Sequence, residues 1–339
     1  MSSVAIPAPP PSTLRLRTRL QQTGIIIPTY NASPHWKQLQ AALDRQGIAK
    51  EQILILDSSS SDNTAALAKR AGYLLKVIPL EQFQHGATRQ LALAQLPWAE
   101  TLVYLTQDAI PGKNSIQTLL RAFDDAEVGA AYGRQLPRPE ADEIEAHARL
   151  FNYPPASDVR NFASREQLGF RAAFFSNSFA AYRRSALEEV GGFPTNTIVS
   201  EEVTVAARML IAGWKLAYQA EATVIHSHPL TVRKEFSRYF DIGVHHGRES
   251  WLIEQFGGAG GEGLKFVASE MRFLAKNKAS LIPLAVVRSA SKWCAYKLGS
   301  HERHLPLWVK KRVSGQPNFW HSEDQGNGVP LALNLPADR

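Results

Sequence analysis

Five sites in this 339-residue chain have residue types and spacings that could do chemistry. Asp108 stands in Thr106-Gln107-Asp108-Ala109-Ile110-Pro111, just past an apolar run. A carboxylate there can hold a divalent cation against a diphosphate, since Mg2+ and Mn2+ take oxygen ligands and share them with substrate phosphates; it can equally be a turn residue ahead of Pro111. His226 and His228 are two apart after another apolar run. In an extended chain that spacing puts both imidazoles on one face, so either can complete a metal site. Glu201 and Glu202 open a helical stretch, where the helix dipole favours acids whatever their use; one of them can also be the general base that deprotonates a hydroxyl. His85-Gly86-Ala87-Thr88-Arg89 enters a helix. Glycine allows close backbone approach there, the free amides favour an anion, and Arg89 can pair with phosphate. Asp57 ends a further apolar run, where it can accept hydrogen bonds from a base or ribose, or merely close a turn.

These residues need elements to position them. Ile25–Ile27, Ile53–Leu56, Leu74–Ile78, Leu102–Leu105 and Val128–Tyr132 read as strands. They alternate with helical stretches that begin near Ser33-Pro34, after Asp62, at Gly86 and at Lys113. Continuous apolar runs alternating with helices predict an α/β fold with a mostly parallel sheet covered on both faces. Ligands of such sheets sit beyond the carboxyl ends of the strands, the edge on which Asp57 and Asp108 fall. Between Arg134 and Ser200 the periodicity degrades into loops and short elements. Glu201–Ile211 reads as a helix, Leu216–Tyr218 and Thr223–Ile225 as two short strands, and the chain beyond Thr231 as helical.

Composition narrows the classes. One cysteine, Cys294, excludes a disulfide framework within the chain and any multi-cysteine metal site. No phosphate-cradling GxxxxGK[ST] or GxGxxG is present, against the common ATP- and NAD-binding families. The net charge of +7 is uneven: Lys265–Arg312 holds 11 Lys/Arg against two acids, Glu270 and Glu302. Such a patch implies an anionic partner. No nucleic-acid module accompanies it, and aromatic residues are not interleaved as stacking platforms. Along Leu281–Leu298, the residues Ile282, Val286, Ala290 and Trp293 share one helical face, with Tyr296 at its edge, Lys292 flanking and Lys297 at the end. That face suits either a core contact or an interfacial helix on anionic lipid.

Taken in order, IIIPTYN, LILDSSSSDNT, TQDAIP, SEEVTVAARMLIAGWKLAY and VIHSH resemble the successive motifs of the inverting family 2 glycosyltransferases with the GT-A fold, over residues 23–230. The resemblance implies that Pro28, Tyr30 and Asp57 line a nucleobase pocket. Ser59, His85, Arg89 and Gln107 would join them around the nucleotide sugar, with Arg89 beside the leaving diphosphate. It makes Asp108 the metal-binding last acid of the family's DxD motif, whose first acid is replaced here by Thr106. It makes Glu202 the catalytic base with Glu201 in reserve, and His228 or His226 the distal metal ligand. FQHGATR, LTQDA, HSHP with RYFDIGV, and Lys297-Leu298-Gly299 narrow the similarity to bacterial rhamnosyltransferases of O-antigen and polysaccharide assembly. That implies a dTDP-β-L-rhamnose donor, an inverted product, Mg2+ or Mn2+, and a glycan acceptor on a polyprenyl diphosphate lipid. A nucleotidyltransferase would carry a basic Gly-rich loop after the first strand, where this chain has PTYNAS. The resulting organisation is a disordered leader over 1–22, a GT-A catalytic domain over 23–230, a helical basic extension over 231–320 and a flexible tail over 321–339. The place is the cytoplasm, peripheral on the cytoplasmic face of the inner membrane.

Overall fold

Along three of the apolar runs the side chains divide between two cores. Ile25, Ile27, Ile53, Ile55, Val103 and Leu105 enter one, while Ile26, Leu54, Leu56, Leu102 and Tyr104 enter the other. This period-2 division with both faces buried is what a helix-covered parallel sheet requires. The computed structural model describes residues 11–258 and 260–324.

The strands are β1 (Thr23–Thr29), β2 (Ile53–Asp57), β3 (Leu74–Val77), β4 (Thr101–Leu105), β5 (Ile110–Pro111), β6 (Val128–Leu136), β7 (Asp158–Arg160), β8 (Phe179–Arg183) and β9 (Lys215–Ile225). They form one sheet in the order β3-β2-β1-β4-β8-β6-β9-β5, and β7 pairs with β9. The β1–β2, β2–β3, β1–β4 and β6–β9 pairs are parallel, and β8 lies antiparallel between β4 and β6. The helices of the first part are α1 (Pro11–Gln21), α2 (Ser33–Asp44), α3 (Thr64–Ala71), α4 (His85–Gln95), α5 (Ser115–Leu120), α6 (Glu143–Asn152), α7 (Arg165–Leu168), α8 (Arg184–Glu189) and α9 (Glu201–Ile211). Those of the C-terminal extension are α10 (Val232–Arg248), α11 (Ser250–Phe256), α12 (Gly260–Asn277), α13 (Ile282–Ser300), α14 (Leu307–Val313) and α15 (Pro317–Asp324).

Four expectations need correction. Residues 11–21 are not a loose leader but α1. The prolines that break a helix end at Pro11, which a first helical turn tolerates. Beyond it Leu16 and Leu20, four apart, pack on the core, and Arg19 bonds the carbonyls of Leu120 and Phe123 and pairs with Asp124 at 2.7 Å. Residues 1–10 lie outside the described residues. Second, β8 lies in the stretch read as loops; its Phe-Ala-Ala-Tyr core has no β-branched residue to mark it, and burial in the sheet fixes it instead. Third, the two short strands near the end are one 11-residue strand, β9. Its register against β6 jumps between Gly133–Gln219 and Arg134–Thr223, so Ala220–Ala222 bulge out. Gly133 faces that bulge, and a Cβ there would meet Ala222 O and the Phe179 ring at 2.4 Å. Fourth, the apolar face of α13 is split: Val286, Ala290 and Trp293 point outward and Ile282 does not. Ile282 packs against the small core of Ile144, Leu274 and Ala285, and Lys292 pairs with buried Glu235 at 3.3 Å. The residues left outward are Leu284, Val286, Val287, Ala290 and Trp293. The expected tail begins in α15 through Asp324, and 325–339 lie outside the described residues.

Candidate active site

The parallel strands end at a common edge, and the loops there interlock. Tyr30 N donates to Gln107 Oε1 at 2.8 Å and Gln107 Nε2 donates back to Tyr30 O at 3.1 Å, which fixes the backbone beside Pro28 and leaves the Tyr30 ring exposed. Asn31 and Ser59 take left-handed backbone conformations, with φ of 50° and 55°. Non-glycine residues held this way concentrate at functional loops. Asp57 is only 1% exposed and accepts from Thr29 Oγ1, Ser60 Oγ and Ser60 N at 2.9, 2.5 and 2.9 Å. These three bonds shape the loop that carries Ser59 and Ser60.

Asp108, His226 and His228 do converge. Their ligand atoms all lie within 4.8 Å of one another. His228 Nε2 is 2.8 Å from Asp108 Oδ2, His226 Nε2 is 3.4 Å from Asp108 Oδ1, and the two Nε2 atoms are 3.1 Å apart. Residues outside the sequence motifs orient this set. Gln135 Oε1 accepts from Arg149 Nη1 at 2.9 Å and lies 2.8 Å from His226 Nδ1. A guanidinium only donates, so the Gln135 atom facing it is the oxygen, and the proton of His226 belongs on Nδ1. The Nε2 lone pair is then free for a cation, the outer-shell arrangement usual for ligating histidines. Arg138 donates to Asp108 O at 2.9 Å and to Ser227 O at 3.2 Å, tying the two ligand-bearing segments together. Burial works to raise the Asp108 carboxyl, but the two imidazoles outweigh it and hold it far below the carboxylate range. Burial pushes the His226 ring down. Two imidazoles and a carboxylate suit Mn2+ better than Mg2+, which prefers oxygen alone.

A second cluster gathers at the start of α9. Ser200 precedes it at φ 62°, a left-handed junction that presents Glu201 and Glu202. Arg89, expected beside a phosphate, is instead buried in an ion pair with Glu201 at 2.9 Å. The Glu201 carboxylate also accepts from Asn177 Nδ2 at 3.2 Å. The glycine of the His85-Gly86 turn is needed for packing: a Cβ on Gly86 would stand 1.8 Å from Pro194 O. The two acids therefore part company. Burial opposes ionisation of Glu201, but Arg89 and then His85 overcome it and hold its carboxyl below the usual range. Glu202 gains no such partner. Its surroundings are dry although part of its side chain reaches solvent, and burial together with the charge on Glu201 pushes it up to about 8. A carboxyl poised there is suited to proton transfer near neutral pH. Arg238 of α10 is exposed, and its positive charge reaches Glu202, His85 and Arg149 alike. With Arg89 committed to Glu201, Arg238 is an exposed cation close to these acids.

Comparison with known proteins gives the family. The sequence model described as Glycosyl transferase family 2 matches residues 24–191. The chain is 44% identical over 300 residues to the O-antigen chain rhamnosyltransferase RfbN of Salmonella typhimurium, covering 88% of this chain and 96% of that protein. It is equally 44% identical over 300 residues to the O-antigen chain rhamnosyltransferase WbaN of Salmonella anatum, covering 88% and 95%. Among solved structures it is similar in fold to the mannosyltransferase PcManGT from Pyrobaculum calidifontis in complex with GDP-Man and Mn2+, with a TM-score of 0.56 at 18% identity over 88% of this chain and 94% of that one. With such identity across nearly the whole of two relatives, the chain belongs to glycosyl transferase family 2, has the GT-A fold, and is a glycosyltransferase.

Proposed function

We propose that the protein transfers L-rhamnose from dTDP-β-L-rhamnose to a hydroxyl of an O-antigen-type glycan carried on a polyprenyl diphosphate lipid, with inversion. The identity to two rhamnosyltransferases supports the sugar. The observation that carries the chemistry is the division of labour between Glu201, ion-paired and anionic, and Glu202, raised towards neutrality. Glu202 takes the proton of the acceptor hydroxyl as its oxygen bonds to the anomeric carbon. The bond from that carbon to the donor phosphate breaks on the other face, and its electron pair leaves with the nucleoside diphosphate. Asp108, His226 and His228 would hold a divalent cation, Mn2+ by preference, which supplies positive charge against that diphosphate. Arg238 adds a second charge from α10. Tyr30, Pro28, Ser59 and Gln107 border the nucleotide end.

The test is nucleoside diphosphate release from a panel of dTDP-, UDP- and GDP-sugars with Mn2+ and a lipid-linked glycan acceptor. Turnover confined to dTDP-rhamnose is the expected result. Turnover of a UDP- or GDP-sugar alone would overturn the rhamnose assignment.

The same reading places the enzyme at the cytoplasmic face of the inner membrane. No helix among the described residues is long and apolar enough to cross a membrane. The two acids of Lys265–Arg312 are both buried, Glu270 and Glu302, so this surface exposes cations and no carboxylate of its own. Arg272, Lys276, Lys297 and Arg303 lie exposed with the outward apolar stripe of α13 and with Trp293 and Trp308, which are 64% and 69% exposed. Bases flanking exposed tryptophans fit the headgroup region of anionic lipid. Co-sedimentation with phosphatidylglycerol vesicles but not with pure phosphatidylcholine is expected; equal partition would refute this placement.

A further inference from the structure

The basic extension does more than cover the surface, because its last segment returns to the catalytic acids. Asp241 of α10 is buried and accepts from Ser314 Oγ at 2.6 Å and from Gly315 N at 2.9 Å, which fixes the turn between α14 and α15. The next residue, Gln316, brings its amide to 3.3 Å from His85 Nε2, and Asn318 Nδ2 donates to Leu80 O at 3.1 Å. His85 in turn offers its carbonyl to Arg89 Nη1 at 3.0 Å, with its Nδ1 at 3.4 Å from the same atom. That guanidinium holds Glu201.

A second route ends at the same place. Phe319 and Trp320 are buried with Ile198, and Val199 packs against them. These two residues lead directly into Ser200, the left-handed junction at the head of α9. Trp320 is flanked by the cations of Arg248 and Lys310, at 5.2 and 5.1 Å from its ring. Both cations pair with buried Glu302. The final described turn of the chain is therefore anchored firmly enough to transmit position.

Arg89 Nη1 directs its hydrogens to Glu201 Oε1 and the His85 carbonyl and presents no acceptor to His85 Nδ1 at 3.4 Å, which favours the lone pair on Nδ1 and the hydrogen on Nε2. The Gln316 atom facing His85 Nε2 is placed as Nε2, and exchanging the nitrogen and oxygen of this amide, two atoms of nearly equal size, sets its oxygen opposite that hydrogen.

We propose that Gln316 is a positioning residue for sugar transfer. It fixes the tautomer and orientation of His85, His85 seats Arg89 on Glu201, and the seated pair sets the charge beside Glu202. This rests on the reading of Glu202 as the base. A purely structural role for the segment would stabilise the fold without altering the proton affinity of Glu202.

The experiment uses the full-length protein with Gln316→Ala, Gln316→Glu, His85→Ala and the double variant of Gln316→Ala with His85→Ala. Initial rates are measured against pH. For Gln316→Ala, kcat falls about 3–10-fold and donor KM stays within about twofold. The acid limb of the kcat profile moves up by about half a pH unit, because a looser Arg89 withdraws positive charge from Glu202. Gln316→Glu, which keeps an acceptor opposite Nε2, recovers most of the rate. The double variant is no slower than His85→Ala, since the two act in series. An unmoved acid limb, or losses that multiply in the double variant, would overturn the proposal. One readout needs no turnover: in nitrogen-detected NMR, Gln316→Ala must change the tautomer signature of the His85 ring. An unchanged ring defeats the proposal even in an active enzyme. A wild-type protein with a responsive His85 ring but no transfer of any sugar would instead defeat the reading of the site as a transferase centre built on Glu202.

Discussion

Replacing Glu202 with Gln should cost the enzyme its activity and make it more stable. Gln matches the protonated acid in size and cannot take a proton. Loss of a general base lowers turnover by about 10²–10⁴-fold. The stability gain comes from the same environment. In the unfolded chain this carboxyl ionises near its ordinary value of about 4.3, whereas in the folded protein burial and the Glu201 charge push it up to about 8. A group raised on folding contributes stability that is complete below the unfolded value and is lost as pH rises through the folded one. The wild type therefore weakens between about pH 4.5 and 8, and the variant is spared that loss. Because Glu202 is partly solvated, the full shift overstates the effect, and on the order of 2–3 kcal/mol is expected above pH 8. For a chain of this length that is a rise in Tm of about 3–5 °C. The assay is paired thermal melts at half-unit steps from pH 5 to 9, with transfer rates alongside. The gap in Tm should open with rising pH and level off above pH 8. A constant gap, a gap of opposite sign, or a variant that keeps wild-type turnover would refute the assignment of the base.

Glu201→Gln should behave in the opposite sense: it leaves Arg89 buried without its counter-charge and destabilises by about 3–5 kcal/mol, read by denaturant unfolding at pH 7. Gln135→Leu touches no substrate but frees the His226 ring to turn, so calorimetry should show Mn2+ affinity reduced about 10–100-fold; wild-type affinity would remove Gln135 from the metal site. Arg238→Ala should lower kcat about tenfold or more with little change in acceptor KM, and Arg238→Lys should restore part of it, because a point charge substitutes only partly for a guanidinium on phosphate.

The first four strands and the helices between them were legible because β1, β2 and β4 carry unbroken apolar runs, and β3, which includes Lys76, follows a helix closed by Gly72. Strand-end placement likewise exposed Asp108, and the two-residue spacing of His226 and His228 foretold their shared face. The failures share one cause, dependence on partners distant in sequence. Arg89 looked like a phosphate ligand because a glycine and a helix start precede it; its actual partner, Glu201, lies beyond five further strands. Asp57 was open between a ribose acceptor and a turn acid, and its bonds to nearby Ser60 and to Thr29 display the turn role. Gln135 and Arg149, which orient His226, belong to no motif, and β8 carries no strand-favouring residue outside its aromatic ends. Only the register of the folded sheet discloses them.

The bulge in β9 implies an unusual pattern of tolerance to change. Ala220, Glu221 and Ala222 stand between the paired halves of the strand, and downstream of them Ile225 lies opposite Leu136 and His226 beside Gln135. Side chains alternate faces at every residue, so removing one residue from these three would invert everything after them. His226 would then point away from Asp108. The three positions thus act as a spacer whose length is specified, with Ala220 and Ala222 buried in the two cores and Glu221 alone exposed. Substitution of Glu221 should be accepted and larger side chains at buried Ala220 or Ala222 should cost stability, whereas a single-residue insertion or deletion should abolish the metal site and leave most of the sheet intact.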